Sequence, residues 1–169
     1  MTAMFEGQPP GTYSIISEYL ESGMLFFVPV PSSLRLVGSG LSGNPDNGTA
    51  YLETSLNTTI TVNFASGLVF GLGSLDAAHL PLAGVLQVVG FRQDGTTVTN
   101  RFAPDGPSFQ TFRFDAGFVD LTMFKMNGGF ALDNIVVTIP EPSAGGLVLL
   151  GTLCGVGWRR VTRVRVSRR

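Results

Sequence analysis

His79 is the single histidine of the chain and sits in AAHLPL among apolar neighbours. Ser/His/Asp constellations and histidine metal sites need more partners than one such ring supplies. It reads either as a surface or packing histidine or, as the lesser reading, as a general base. The segments that carry nucleophile elbows, phosphate loops or H-E-x-x-H zinc sites are absent. Gly71-Leu72-Gly73 lacks the rest of a dinucleotide fingerprint and reads as a turn. Cys154 is the only cysteine, so an intramolecular disulfide is excluded. Acid–base hydrolysis of a glycoside needs two carboxylates, and these can come from distant segments. Residues 1–139 hold eleven carboxylates, but no spacing singles out a pair.

The elements that would position such groups read as strands. Runs rich in β-branched and aromatic residues fall at 12–19, 24–30, 34–37, 49–55, 58–64, 68–72, 85–92, 97–102, 109–114, 118–126 and 129–139. TTITVNF sets Ile60, Val62 and Phe64 on one face and Thr59, Thr61 and Asn63 on the other. Asp94-Gly95, inside GFRQDGTTVTNRF, predicts a type I′ hairpin, because both residues tolerate positive φ. GSGLSGNPDNGTA, at 38–50, is the longest turn-rich loop, and residues 75–84 form the one candidate short helix. Twenty-two glycines and ten prolines punctuate these runs. Many short strands between turns predict an all-β fold, an antiparallel β-sandwich of jelly-roll type over residues 1–139.

The last thirty residues differ in kind. Residues 143–158 carry no charge, and six arginines follow them. As a helix this run spans roughly 24 Å, against about 30 Å of hydrocarbon in a bilayer. Snorkelling arginines and local thinning close that gap. Trp158 falls where an interfacial aromatic belongs, and Arg159, Arg160, Arg163 and Arg165 flank the cytoplasmic side by the positive-inside rule. The alternative is a buried terminal helix or strand. Five glycines in sixteen residues make a poor helix in water, and a core element has no need of six arginines. A single C-terminal transmembrane helix is therefore expected after the sandwich. Charge divides the same way: residues 1–139 hold five basic and eleven acidic side chains. An acidic body excludes a nucleic-acid footprint.

Pro140-Glu141-Pro142, then a short Gly/Leu-rich apolar segment, then an arginine cluster resembles the PEP-CTERM sorting signal. The resemblance covers residues 140–169. It implies an exported protein of a Gram-negative-type bacterium, held in the inner membrane with its body in the periplasm. An exosortase-type membrane enzyme would then process it near Pro140-Glu141-Pro142, releasing it to the cell surface or the extracellular matrix. It also implies a link with exopolysaccharide and biofilm. The start, MTAMFEGQPPG, has neither the basic segment nor the apolar core of a signal peptide, so a leader upstream of Met1 is expected.

Within the body, Met4-Phe5-Glu6-Gly7 and Ala131-Leu132-Asp133-Asn134-Ile135 resemble the two ends of galactose-binding-like jelly rolls. That resemblance implies a structural calcium ion held by Glu6, Asp46 with Asn47, and Asp133. A hard cation needs several oxygens, and such a site would tie the first strand to the last. Without it, Glu6 is a surface carboxylate, Asp46-Asn47-Gly48 a turn and Asp133 a strand-edge or bulge residue.

Three functions follow. The first is a non-enzymatic exported cell-surface or matrix protein. The second is a carbohydrate-binding module acting on matrix polysaccharide. The third is a hydrolase with scattered carboxylates. The body has no tryptophan, and most phenylalanines are expected in the core. Polar strand positions such as Thr97, Thr99 and Arg101 read either as ligand contacts or as a solvated face.

Overall fold

The computed structural model describes residues 1–5, 8–29, 31–56, 58–80 and 84–140. Among these residues there are strands and no helix, and none long and apolar enough to cross a membrane. The first compact unit runs Met1–Ile139. Its strands are β1 (Thr2–Ala3), β2 (Tyr13–Ile16), β3 (Glu18–Glu21), β4 (Met24–Phe27), β5 (Leu34–Val37), β6 (Tyr51–Thr54) and β7 (Thr59–Phe64). They continue as β8 (Gly71–His79), β9 (Leu86–Arg92), β10 (Thr97–Phe102), β11 (Gln110–Arg113), β12 (Leu121–Asn127) and β13 (Phe130–Thr138).

All ladders are antiparallel, and they form two sheets. Sheet A runs β11-β8-β13-β6-β5-β2, with β1 added to β13; sheet B runs β10-β9-β12-β7-β4-β3. The alternation in β7 places Ile60, Val62 and Phe64 in the core between the sheets. Phe26, Val88, Phe124 and Met126 face inward from the rest of sheet B; Leu34, Leu52, Leu75 and Leu132 face them from sheet A. Each fully buried apolar side chain of this size contributes about 1.5–3 kcal/mol.

Aromatic pairs close both open sides. Phe102 of β10 meets Phe112 and Phe114 at 4.9 and 5.2 Å between ring centroids. At the other side Phe5 stands 5.1 Å from Phe26 and 5.8 Å from Tyr19. A sandwich with two free edges gains most from such rings, because they cover apolar area where no further strand arrives.

Bulges keep the inward parity in register. In β13, Phe130 and Leu132 point inward, and so do Ile135 and Val137. Strict alternation forbids that unless one residue is extra, and Asn134 is that residue: the register against β8 shifts after Asp133. Asn134 takes φ +45°, the left-handed region that asparagine tolerates. Past the bulge, Thr2 and Ala3 pair with Val136 and Ile135, and the Met1 amine donates to the Val137 carbonyl at 2.9 Å. The first and last strands are therefore joined by the backbone ladder itself.

Four expectations are corrected. Gly71-Leu72-Gly73, expected as a turn, opens β8, where Gly71 and Leu72 pair with Thr138 and Val137. Residues 75–79, expected to start a short helix, form the second half of β8. Leu75 and Ala77 alternate inward, and β11 and β13 supply hydrogen bonds on both sides, which overrides alanine's helical preference. Residues 81–83 of that candidate lie outside the described residues. The single run expected at 12–19 breaks at Ser17, so that β2 joins sheet A and β3 joins sheet B. The hairpin at Asp94-Gly95 is not type I′. Only Gly95 has positive φ (+84°), and its N–H donates to the Arg92 carbonyl at 3.1 Å. That is a turn with Gln93 and Asp94 at its centre and Gly95 in the left-handed bulge position. The Asp94 carboxylate accepts from the Thr96 N–H and hydroxyl at 2.8 and 2.7 Å, and these bonds, the hydroxyl's first, hold its pKa below the ordinary value.

Candidate functional site

The outer face of sheet A is lined with polar groups that bind one another. Asp133 is fully buried there. Its Oδ2 accepts from Asn47 Nδ2 at 2.7 Å and from Thr49 Oγ1 at 2.8 Å, and its Oδ1 accepts from the Asn134 N–H at 2.7 Å. Across the ladder, Asp76 accepts from Thr111 Oγ1 at 2.6 Å and from Asn134 Nδ2 at 2.8 Å. Burial pushes the Asp133 carboxyl up; the bonds from Asn47, Thr49 and Asn134 oppose that shift, and the nearby Asp76 charge adds to it.

On the same face Glu53 is paired with Arg35 at 2.9 Å and accepts from Asn44 at 3.4 Å. Its carboxyl is also pushed up by burial, against the pull of Arg35. Beside them Tyr51 is buried under Phe109, with ring centroids 5.4 Å apart. Burial raises its phenol to about 12. A small second core of Val37, Tyr51, Ala78, Leu80 and Ala131 fills this face, with Leu41 and Phe109 packed on it.

The expected calcium residues are therefore placed as follows. Asn47 and Asp133 come together. Asp46 turns into its own loop, where its Oδ1 accepts from the Gly48 N–H at 2.9 Å. Glu6 lies outside the described residues. Among the described residues no three His, Cys, Asp or Glu side chains gather in a metal-binding group. As the structure stands, the Asp133 carboxylate is satisfied by N–H and O–H donors.

The outer face of sheet B is different. Its residues lie in three rows across the strands, fixed by the registers. Thr97, Phe91, Met123, Asn63, Leu25 and Leu20 form one row; Thr99, Val89, Lys125, Thr61, Phe27 and Glu18 form the next. Arg101 and Gln87 pair in the third, with Asn127 and Thr59 following. A cleft of about 260 Å³ opens here, lined by Thr59, Gln87, Val89, Phe91, Lys125, Met126 and Asn127. The Lys125 ammonium lies 5.3 Å from the Phe91 ring centroid, a cation–π contact.

Asn127 is committed to backbone: its Oδ1 accepts from the Gln87 N–H at 2.6 Å and its Nδ2 donates to the Val85 carbonyl at 2.8 Å. Among the described residues the side chains of Thr59, Thr97, Thr99, Gln87, Arg101 and Lys125 make no hydrogen bond, and neither Arg101 nor Lys125 has an ion pair. An apolar floor edged by the free side chains of Thr59, Gln87 and Lys125 can take up a flat ligand with an apolar face and hydroxyls at its rim.

The residues of this outer face were partly legible in the sequence. Thr97, Thr99 and Arg101 stood out as a polar strand face; Phe91, Lys125 and Gln87 did not. The signal was the alternation in TMFKMN, where Phe124 and Met126 turn inward and leave Lys125 outside. His79, half-buried on β8, has its ring edge-on to Phe130 at 6.2 Å, a packing contact. Pro140 is exposed. Glu141, Pro142, Trp158, Arg159, Arg160, Arg163, Arg165 and the expected transmembrane helix lie outside the described residues.

No protein-family model and no curated protein matches the chain. Among solved structures, the chain is similar to a variant of a family 29 carbohydrate-binding module, at 14% identity over 75% of this chain and 91% of that one, with a TM-score of 0.47. It is also similar to the C-terminal family 22 carbohydrate-binding module of Clostridium thermocellum Xyn10B, at 13% identity over 83% and 94%, with a TM-score of 0.38. A xylan-binding domain of family 22 aligns at 13% identity over 84% and 95%, with a TM-score of 0.38.

Proposed function

We propose that this is a non-catalytic, exported surface protein whose sandwich binds polysaccharide through the outer face of sheet B and whose residues 140–169 are a sorting tail. One observation carries the binding reading: this open face combines the Phe91–Val89 floor with hydroxyl, amide and cationic side chains that make no hydrogen bond or ion pair among the described residues. Sugars present that complement, an apolar ring face and a rim of hydroxyls. The reading favours the carbohydrate-binding module over a purely structural matrix protein.

Binding is tested with the full chain in a non-ionic detergent, by affinity electrophoresis through gels cast with bacterial and plant polysaccharides. Replacing Phe91→Ala should weaken retention by about tenfold, the usual loss on truncating an aromatic anchor. The melting temperature should hold, because Phe91 stands outside the core cluster. Unchanged retention by the Phe91→Ala chain would place the ligand elsewhere.

The tail reading is supported by Pro140-Glu141-Pro142, the uncharged residues 143–158 and the arginines that follow. In this proposal an exosortase-type enzyme in the lipid bilayer processes the chain, and the body passes from the periplasm to the surface. Expression in cells with and without such an enzyme should give two chain masses, differing by a cut near Pro140. A single mass in both strains would remove this part of the proposal.

A further inference from the structure

The charges of the body are unevenly spread, and the imbalance points to the kind of chain that the cleft takes. Residues 1–139 contain eleven carboxylates against Arg35, Arg92, Arg101, Arg113 and Lys125. Arg35 is spent on Glu53, and Arg92 donates to the Gly117 carbonyl through Nε and Nη2 at 3.1 and 2.5 Å. Two of the remaining three, Lys125 and Arg101, stand on the outer face of sheet B. An acidic protein thus keeps two cations without a carboxylate partner, among the described residues, on the face that carries its open cleft.

Their placement is ordered. Lys125 faces Val89 on β9, and Arg101 faces Gln87 on that strand's other side. They stand two strand intervals apart and two residues offset along the strands, about 12 Å. The nearest acid in the Lys125 row is Glu18 on β3, three strand intervals away, about 14 Å. Asp94 and Asp120 lie with Arg92 at the turn end of β9, beyond Phe91. Along β9 the surface therefore runs from acidic at the Asp94 turn to basic at Gln87. Lys125 is also steadied by the Phe91 ring, which holds its charge over the cleft.

We propose that this face selects an acidic polysaccharide, one whose sugar units carry carboxylates, and that Lys125 and Arg101 each take one carboxylate along the chain. The inference rests on the polysaccharide-binding reading above. A neutral glycan would leave both cations unanswered, whereas a uronate polymer brings charges of the required sign to a surface whose surroundings repel free anions.

The test uses the full chain in non-ionic detergent and three gels: polygalacturonate, its methyl ester, and polyacrylate. At low salt, polygalacturonate should retard the chain roughly fivefold more strongly than the ester, which carries the same backbone with its charge blocked. Lys125→Gln and Arg101→Gln should each remove most of that preference while their melting temperatures hold. Arg113→Gln, the same change of charge on β11 in the other sheet, should leave it intact. Equal retardation by the acid and its ester overturns the selection and leaves polysaccharide binding standing. Retardation by polyacrylate equal to that by polygalacturonate overturns it as plain ion exchange. So does an equal loss in the Arg113→Gln chain. Retardation by none of the three, nor by any neutral glycan, removes the binding reading and this inference together.

Discussion

The two outer faces of the sandwich carry similar side chains and commit them differently. On sheet A, the amides, hydroxyls and charges of Asn44, Asn47, Thr49, Arg35, Glu53, Asp76, Thr111 and Asp133 bind one another. On sheet B, Thr59, Thr99, Gln87, Arg101 and Lys125 make no such bonds among the described residues. A polar group satisfied by its own fold contributes to stability, and one left open to solvent is free to meet a ligand. The comparison teaches that polar composition alone does not mark a site. What marks it is whether the donors are already spent.

The largest effect should come from breaking the spent face. Asp133→Ala removes a buried carboxylate, the acceptor of the Asn47 amide and the Asn134 N–H and one of the two acceptors of the Thr49 hydroxyl. Losing these hydrogen bonds to a charged group costs about 2–4 kcal/mol together. That corresponds to a drop of roughly 5–15 °C in melting temperature for a chain of this size. Lys125→Ala and Gln87→Ala on the other face should stay within about 0.5 kcal/mol of the parent. Thermal melts of the three variants decide the matter. Equal losses from both faces would erase the distinction.

How far the molecule could be read from its sequence depends on what each residue reports. TTITVNF announced its inward face, because only one parity is apolar. LQVVGFR did not, since Val88, Val89 and Phe91 are apolar on both parities. The structure puts Gly90 in the inward slot, where a Cβ would stand 2.8 Å from Leu121 and 3.0 Å from Val98. Phe91 is therefore turned out to the cleft, although phenylalanines were expected in the core. The break at Ser17 was equally silent, because crossing from one sheet to the other is decided by tertiary pairing. Asp133 and Asn47, expected at one corner, are brought together there by a hydrogen bond. A resemblance located the corner, and only the atoms could show which of its groups donate.

Calcium sharpens the contrast at that corner. In the proposed calcium-bound form, Glu6, Asp46, Asn47 and Asp133 would turn oxygens to the ion, and Asp133 would exchange the Asn47 and Thr49 donors for it. A ligand that binds only the folded chain at a hundred times its Kd adds about 2.7 kcal/mol. Melting with excess calcium and then with excess chelator should show a shift of several degrees, lost in the Asp133→Asn chain. An unchanged melting temperature would identify the hydrogen-bonded network as the working form.

The smallest effect concerns pH. Burial raises the carboxyls of Glu53 and Asp133 above their ordinary values of 4.5 and 3.8. The folded chain therefore binds their protons more tightly than the unfolded chain does. Their stabilisation is fully present below those ordinary values and is lost as pH rises through the raised folded ones. Asp94 acts with the opposite sign: its pKa is lowered from 3.8, so its contribution is present above that value and is lost as pH falls through the lowered one. The melting temperature should thus climb as pH falls from neutral toward the ordinary carboxylate range, then turn down once Asp94 protonates. Glu53→Gln and Asp133→Asn should each flatten the climb, whereas Lys125→Gln, on the other face, should leave it alone. A climb that survived in the Glu53→Gln, Asp133→Asn double variant would mean that other carboxylates produce it, and the buried acids of sheet A would no longer set its outer face apart from that of sheet B.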